Sequence, residues 1–209
     1  MSASWGSTLG QGQRLPAPRS GVELGQTKAG PFTLRLFRER GTRVAVLSDP
    51  HVARLLVLRA ALAGASVRVV TRDAASWAGV VRHGGDSRFV STLSASQAPA
   101  GTPTVLVDDL GDSGPVGDVQ PWHCHVRVGR LDPARVDLTR LAGLGRVEAA
   151  FFDALSAPMA AEVGGVLDLG EASASLTVVP PRAVALVTRG QVHLVRPELS
   201  PGERSVLGV

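Results

Sequence analysis

The chain has 209 residues, enough for one domain with appendages, and its 44% hydrophobic content excludes a disordered protein. Twenty-two Lys and Arg against 18 Asp and Glu leave a formal net charge of +4. The cations are arginines apart from Lys28, and they stand singly with no basic run and no aromatic interleaving, which argues against nucleic acid as a partner.

Cys124 is the only cysteine, so an intrachain disulfide is impossible and a reducing compartment fits. Met1 to Gly6 has neither a basic start nor an apolar run, so no signal peptide is expected. The most apolar stretch, Val52 to Val70, is interrupted by Arg54, Arg59 and Arg68 and reads as helix-turn-strand rather than a membrane span. These features predict a cytoplasmic protein.

Residues 1–31 are rich in Gly, Pro, Ser and Gln without apolar periodicity, and the reading is a flexible arm followed by one domain over 32–209. Thr33 to Arg38 alternates as a half-buried strand, and Gly41 turns the chain. Val44 to Leu47 is a short apolar run suited to a strand covered on both faces. Asp49 as N-cap and Pro50 at the first helical position start a helix that runs to about Ala63, where Gly64 stops it. Val67 to Val70 is the next strand, which completes a strand-helix-strand unit and implies parallel strands.

Further along, residues 74–82 form a short helix with Trp77, and Arg88 to Thr92 a strand. Ser94 to Pro103 and Gly111 to Gly117 read as loops on either side of a buried strand, Thr104 to Asp109. Trp122 to Val128 and Val147 to Phe152 are strands, and Ser156 to Leu167 is a helix. Val184 to Thr188 and Val192 to Val195 form a C-terminal β-hairpin around Arg189-Gly190, and Pro201 to Leu207 closes the chain as a helix. The fold class is therefore α/β, a mainly parallel sheet flanked by helices with a C-terminal β-hairpin.

In such a sheet, ligands bind beyond the carboxyl ends of the strands, where Ser48 to Leu55 lies. A phosphate-binding loop needs two glycines, a lysine and then a hydroxyl for magnesium. The spacing is present but those residues are not. Ser48 and Ala53 stand at the glycine positions, Arg54 at the lysine, Leu55 at the hydroxyl, and Pro50 removes one N–H. Val105 to Asp109 has the form of a second nucleotide-site strand, with Asp108 and Asp109 at its acidic end.

On these residues, with Arg43 to Leu47, Trp122 to Arg130 and Pro180 to Pro197, the chain resembles a degenerate P-loop ATPase domain of the FtsK/SpoIIIE type. It looks most like the inactive ATPase modules of actinobacterial type VII secretion systems. The resemblance covers about residues 32 to 200 and implies a pseudo-ATPase with no cofactor. It also implies protein partners, such as secretion-system components. On this reading the strand-end cleft is a docking surface, flanked by Val52 and Leu55 and rimmed by Arg54 and Asp108.

The alternative is a Rossmann-type small-molecule or dinucleotide-binding enzyme that uses the same cleft. Its glycine register would fall on Ser48, Pro50 and Ala53, none of them glycine, with Asp73 in place of the ribose partner. His123 and His125 share one strand face and could hold a metal, but no second Cys/His cluster accompanies them, so no metal is expected. Cys124 faces away from both histidines and reads as a buried, inert thiol. Asp108-Asp109 could be an acid/base couple or simply a strand end, and no catalytic residue is assigned.

Overall fold

The computed structural model describes residues 21–92, 101–111, 118–131, 141 and 143–209. They form a ten-stranded sheet of order β2-β1-β10-β9-β8-β3-β7-β6-β4-β5. From β8 to β5 every pairing is parallel, and from β8 to β2 every pairing is antiparallel.

The antiparallel end corrects the expected arm. β1 (Val22–Thr27) pairs with β2 (Gly30–Leu34), so residues 22–31 belong to the sheet, while residues 1–20 lie outside the described residues. Gly25, one of the glycines taken as a loop signal, sits at a register shift in β1 with φ +147°. A Cβ there would lie 2.0 Å from the Arg196 carbonyl oxygen of β10, so only glycine permits the approach. The strand expected over 33–38 ends at Leu34, because its partner β1 begins at Val22, directly opposite.

The parallel part follows the expected alternation. β3 (Thr42–Leu47) leads into α1 (Pro50–Leu62), then β4 (Ser66–Thr71), α2 (Ala74–His83) and the short β5 (Ser87–Phe89). β6 (Thr104–Asp109), β7 (His123–Val128) and β8 (Ala149–Phe152) complete it. The loop expectations at 94–103 and 111–117 fall largely on residues outside those described. After β8 come α3 (Ala157–Val166) and a 3-10 segment, Gly170–Thr177. β9 (Val184–Thr188) and β10 (Gln191–Pro197) pair antiparallel across Arg189 and Gly190, both at positive φ. α4 (Pro201–Leu207) ends the chain with a capping box between Ser200 and Glu203.

The two sheet faces differ. α1 and α2 pack on one face, where Val44, Val46, Val67, Val69, Val105, Val107, Cys124 and Val126 form the larger core with Trp77 and Leu207. On the opposite face a smaller core gathers Ala45, Leu47, Phe152, Met159 and Leu176. Beside it on that face, β4, β6 and β7 bury polar side chains instead: Ser66, Arg68, Thr104, Asp108, His123 and His125. No helix among the described residues is long and apolar enough to cross a membrane.

Candidate functional site

At the end of β3 the chain makes only a two-residue turn, Ser48-Asp49, before α1 begins at Pro50. The helix expected from Pro50 is present, and Val52 to Leu55, the second half of the phosphate-loop spacing, lie in its first turns. Ala53 and Leu55 are 0% and 2% exposed within the larger core, and Val52 is buried with them, so neither Val52 nor Leu55 flanks a cleft. The helix N-terminus is satisfied from within. The Asp49 carboxylate accepts from the His51 N–H at 2.9 Å, the Asp49 carbonyl accepts from Val52 N–H at 2.9 Å, and Pro50 has no N–H to offer. A phosphate would have to displace a carboxylate from that position and face its charge. Arg54 bridges the first turns of α1 and α2, donating to the Ser76 carbonyl at 3.2 Å and meeting His51 Nδ1 at 2.9 Å.

Asp108 and Asp109 point to opposite faces of the sheet, so they do not form a carboxylate pair. Asp109 lies on the helical side, where it accepts from Thr71 Oγ1 at 2.9 Å and Trp77 Nε1 at 2.7 Å and so ties β4, α2 and β6 together. Asp108 is 2% exposed beside His125 and Arg127 and accepts from the Leu110 N–H at 3.3 Å, so it does not rim a cleft. β7 separates its strand from β3. Replacing Asp109 with Ala leaves the buried Trp77 N–H unpaired. This should destabilise the fold by about 2 kcal/mol and shift the Trp77 fluorescence, read by denaturant titration.

The other sequence candidates have structural surroundings. Asp73 caps α2, accepting from the Ser76 N–H at 3.2 Å and from the Ser76 hydroxyl, which occupies the carboxylate that a ribose would need. His123 and His125 do share one face, and burial lowers both pKa values, that of His125 to about 4. Neither Nε2 meets a hydrogen-bond partner among the described residues. No group of three or more His, Cys, Asp or Glu among the described residues is placed to hold a metal. Cys124 is 0% exposed, and burial pushes its thiol far up from its ordinary range, so the reactive thiolate is suppressed.

A cleft of about 290 Å³ does open at the strand ends, around β3, and Asp108 is not among its lining residues. It joins the carboxyl ends of three adjacent parallel strands: Leu47 and Asp49 after β3, Arg130 and Leu131 after β7, and Asp153 to Leu155 after β8. The chain leaves β3 toward β4 and leaves β8 toward β9, in opposite directions along the sheet, which makes this a topological switch point. Leu47 and Leu155 form a buried floor, and Asp49, Arg130 and Asp153 are exposed at the rim. Burial raises the Asp153 pKa, an N–H bond from Asp49 and the charge of Arg130 oppose that, and the Asp49 carboxylate adds to it. Sequence reasoning missed Arg130 and Asp153. Their signal was only a charged residue after a buried strand, which many strands carry.

The mainly parallel sheet flanked by helices is a mixed α/β fold. Two solved structures share it. One is the cytoplasmic domain of EssC, at TM-score 0.50 and 12% identity, matched over 90% of this chain and 44% of that one. The other is the genome packaging NTPase B204 of Sulfolobus turreted icosahedral virus 2, solved with AMPPCP, at TM-score 0.52 and 8% identity, over 78% of this chain and 100% of that one. This chain thus spans less than half of the EssC chain. No protein-family description and no curated protein matches the sequence.

Proposed function

We propose that this chain is a pseudo-ATPase, a P-loop-like domain that holds no nucleotide and works through contact with other proteins as an interaction or scaffold component. One observation carries the reading: the N-terminus of α1, where a phosphate would be held, is filled by the chain's own Asp49 carboxylate behind a two-residue turn. The position that would supply a magnesium-binding hydroxyl is Leu55, buried in the core. The likeness to the EssC cytoplasmic domain, joined to the resemblance in the sequence, supports a place beside type VII secretion components.

The expected result is no magnesium-dependent binding of ATP or AMPPCP by calorimetry and no phosphate release above buffer. Turnover by the pure protein that is abolished by Asp108→Asn would overturn the reading.

A further inference from the structure

We propose that the surface at the amino ends of β3, β7 and β8, which carries Arg38, Arg40, Arg189 and the Trp122 indole, docks an acidic segment of a polypeptide partner. The inference rests on the protein-interaction reading and names the chemistry of that partner.

Strand pairing gathers there arginines that stand apart in the chain. Arg189 lies in the turn between β9 and β10, and the pairing of Ala150 with Val187 brings that turn to the amino end of β8. The Arg38 carbonyl accepts from the Trp122 N–H at 2.8 Å, which joins the segment before β3 to the start of β7. β9, β8, β3 and β7 are neighbours in the sheet. The surface therefore spans about 14 Å, the length of roughly four extended residues.

The charge there is positive and uncompensated. Burial and the charges of Arg189 and Arg40 hold the Arg38 pKa below its ordinary value, with Arg35 acting in the same direction and Glu148 against them. None of these four guanidiniums has an ion pair or hydrogen bond among the described residues, and the Arg38 Nε is buried without a partner. Arg43, which would add to them, is paired with Asp118 at 3.7 Å. Against Glu39 and Glu148 the four arginines leave a formal +2. An anion relieves their mutual repulsion, and a carboxylate matches the guanidinium fork.

Trp122 selects a polypeptide over a free anion. Its backbone sits at φ 65°, a left-handed conformation unfavourable for so bulky a residue. Its N–H bond to Arg38, and the bond its carbonyl accepts from the Thr104 N–H at 3.1 Å, fix it there with the residue 36% exposed. The indole offers an apolar face near the cations, which an apolar neighbour of an acidic residue can use and a phosphate ion cannot. Glu39 and Glu148 stand among the arginines. A nucleic-acid backbone, charged at every unit, would meet both, whereas peptide carboxylates are spaced by neutral residues.

The test is an NMR titration of the isotope-labelled full chain with acetyl-Glu-Phe-Asp-Glu-amide, and with acetyl-Gln-Phe-Asn-Gln-amide as the neutral control. Saturable shifts are expected for the acidic peptide at Arg38, Arg189 and the Trp122 indole N–H, and none for the neutral one. Arg40→Gln and Arg189→Gln, both at exposed positions, should each weaken binding about threefold, the range of an exposed ion pair, with an unchanged melting curve. Trp122→Asn, which suits the left-handed backbone, should weaken it in the same direction. Equal affinity for the neutral peptide, shifts centred elsewhere, or full affinity in both arginine variants would overturn the assignment. Tighter binding of a deoxythymidine oligonucleotide than of the acidic peptide would overturn it in favour of nucleic acid. A parallel titration with magnesium-ATP keeps the two readings apart. Nucleotide shifts around Asp49 remove the pseudo-ATPase reading, whereas failure of the acidic peptide alone removes only this docking surface.

Discussion

Arg59→Ala is expected to lower the melting temperature by roughly 10 °C, from a loss of about 3 kcal/mol in a domain of this size. Arg59 rises from α1 and joins three other parts of the chain. Its guanidinium grips the Glu203 carboxylate of α4 with both oxygens, at 2.6 Å and 2.9 Å. It also donates to the Glu23 carbonyl of β1 at 2.8 Å and to the Glu198 carbonyl before α4. The Arg59 and Glu203 side chains are only 18% and 13% exposed, so removing the cation strands a carboxylate in a poorly solvated place.

The guanidinium bond holds Glu203 down to a pKa of about 2. Its contribution is therefore complete above the ordinary Glu range and disappears as pH falls toward 2. Arg59→Lys should recover little, because an ammonium cannot reproduce the paired bonds. The double variant Arg59→Met with Glu203→Leu should recover more than half of the loss, since it removes the stranded charge. Circular-dichroism melts of the four proteins decide it. A single variant that melts within 2 °C of wild type would show that α4 is held by its apolar contacts alone.

A second large effect should appear on mild acidification. His125 is 2% exposed, with Arg43 and Arg127 nearby on its strand face and Asp108 as the nearby acid. Burial lowers its pKa to about 4, while the unfolded chain restores the ordinary value near 6.5. Between those values the unfolded state binds the extra proton, so stability falls as pH drops through the window and levels off beneath it. From pH 7.5 to pH 5 the expected loss is roughly 2 kcal/mol from this side chain. His123, lowered in the same direction by burial, adds to the slope. Urea titrations at the two pH values measure it. His125→Gln, which cannot take the charge, should remove most of the difference. An unchanged pH slope in that variant would place the acid sensitivity elsewhere, with Glu203 excluded because its window lies lower.

Local chemistry was enough to determine the parallel core. Val44 to Leu47 must be a strand because it is apolar on both faces, and Asp49-Pro50 must start a helix because both residues favour that position. The alternation that placed Cys124 opposite His123 and His125 holds for the same local reason, the period of two in a strand. That no glycine or lysine stands between Ser48 and Leu55 was equally visible, since it is a matter of residue identity.

The limits of the sequence lie where distant segments meet. Gly25 looks like a loop residue until Arg196, far along the chain, approaches its Cα. Ser48 to Leu55 has the spacing of a phosphate loop, and only the packing shows that Ala53 and Leu55 are buried in the larger core. Asp108 and Asp109 read alike in sequence, and only the alternation of β6 between two different layers sends one to Trp77 and the other to His125. The cleft of Asp49, Arg130 and Asp153 is built from three strand ends that are neighbours only because β8 and β7 flank β3. Strand order depends on the hydrogen-bonded pairing of segments far apart in the chain. No local pattern encodes it, so the fold class belonged to the sequence and the site to the tertiary structure.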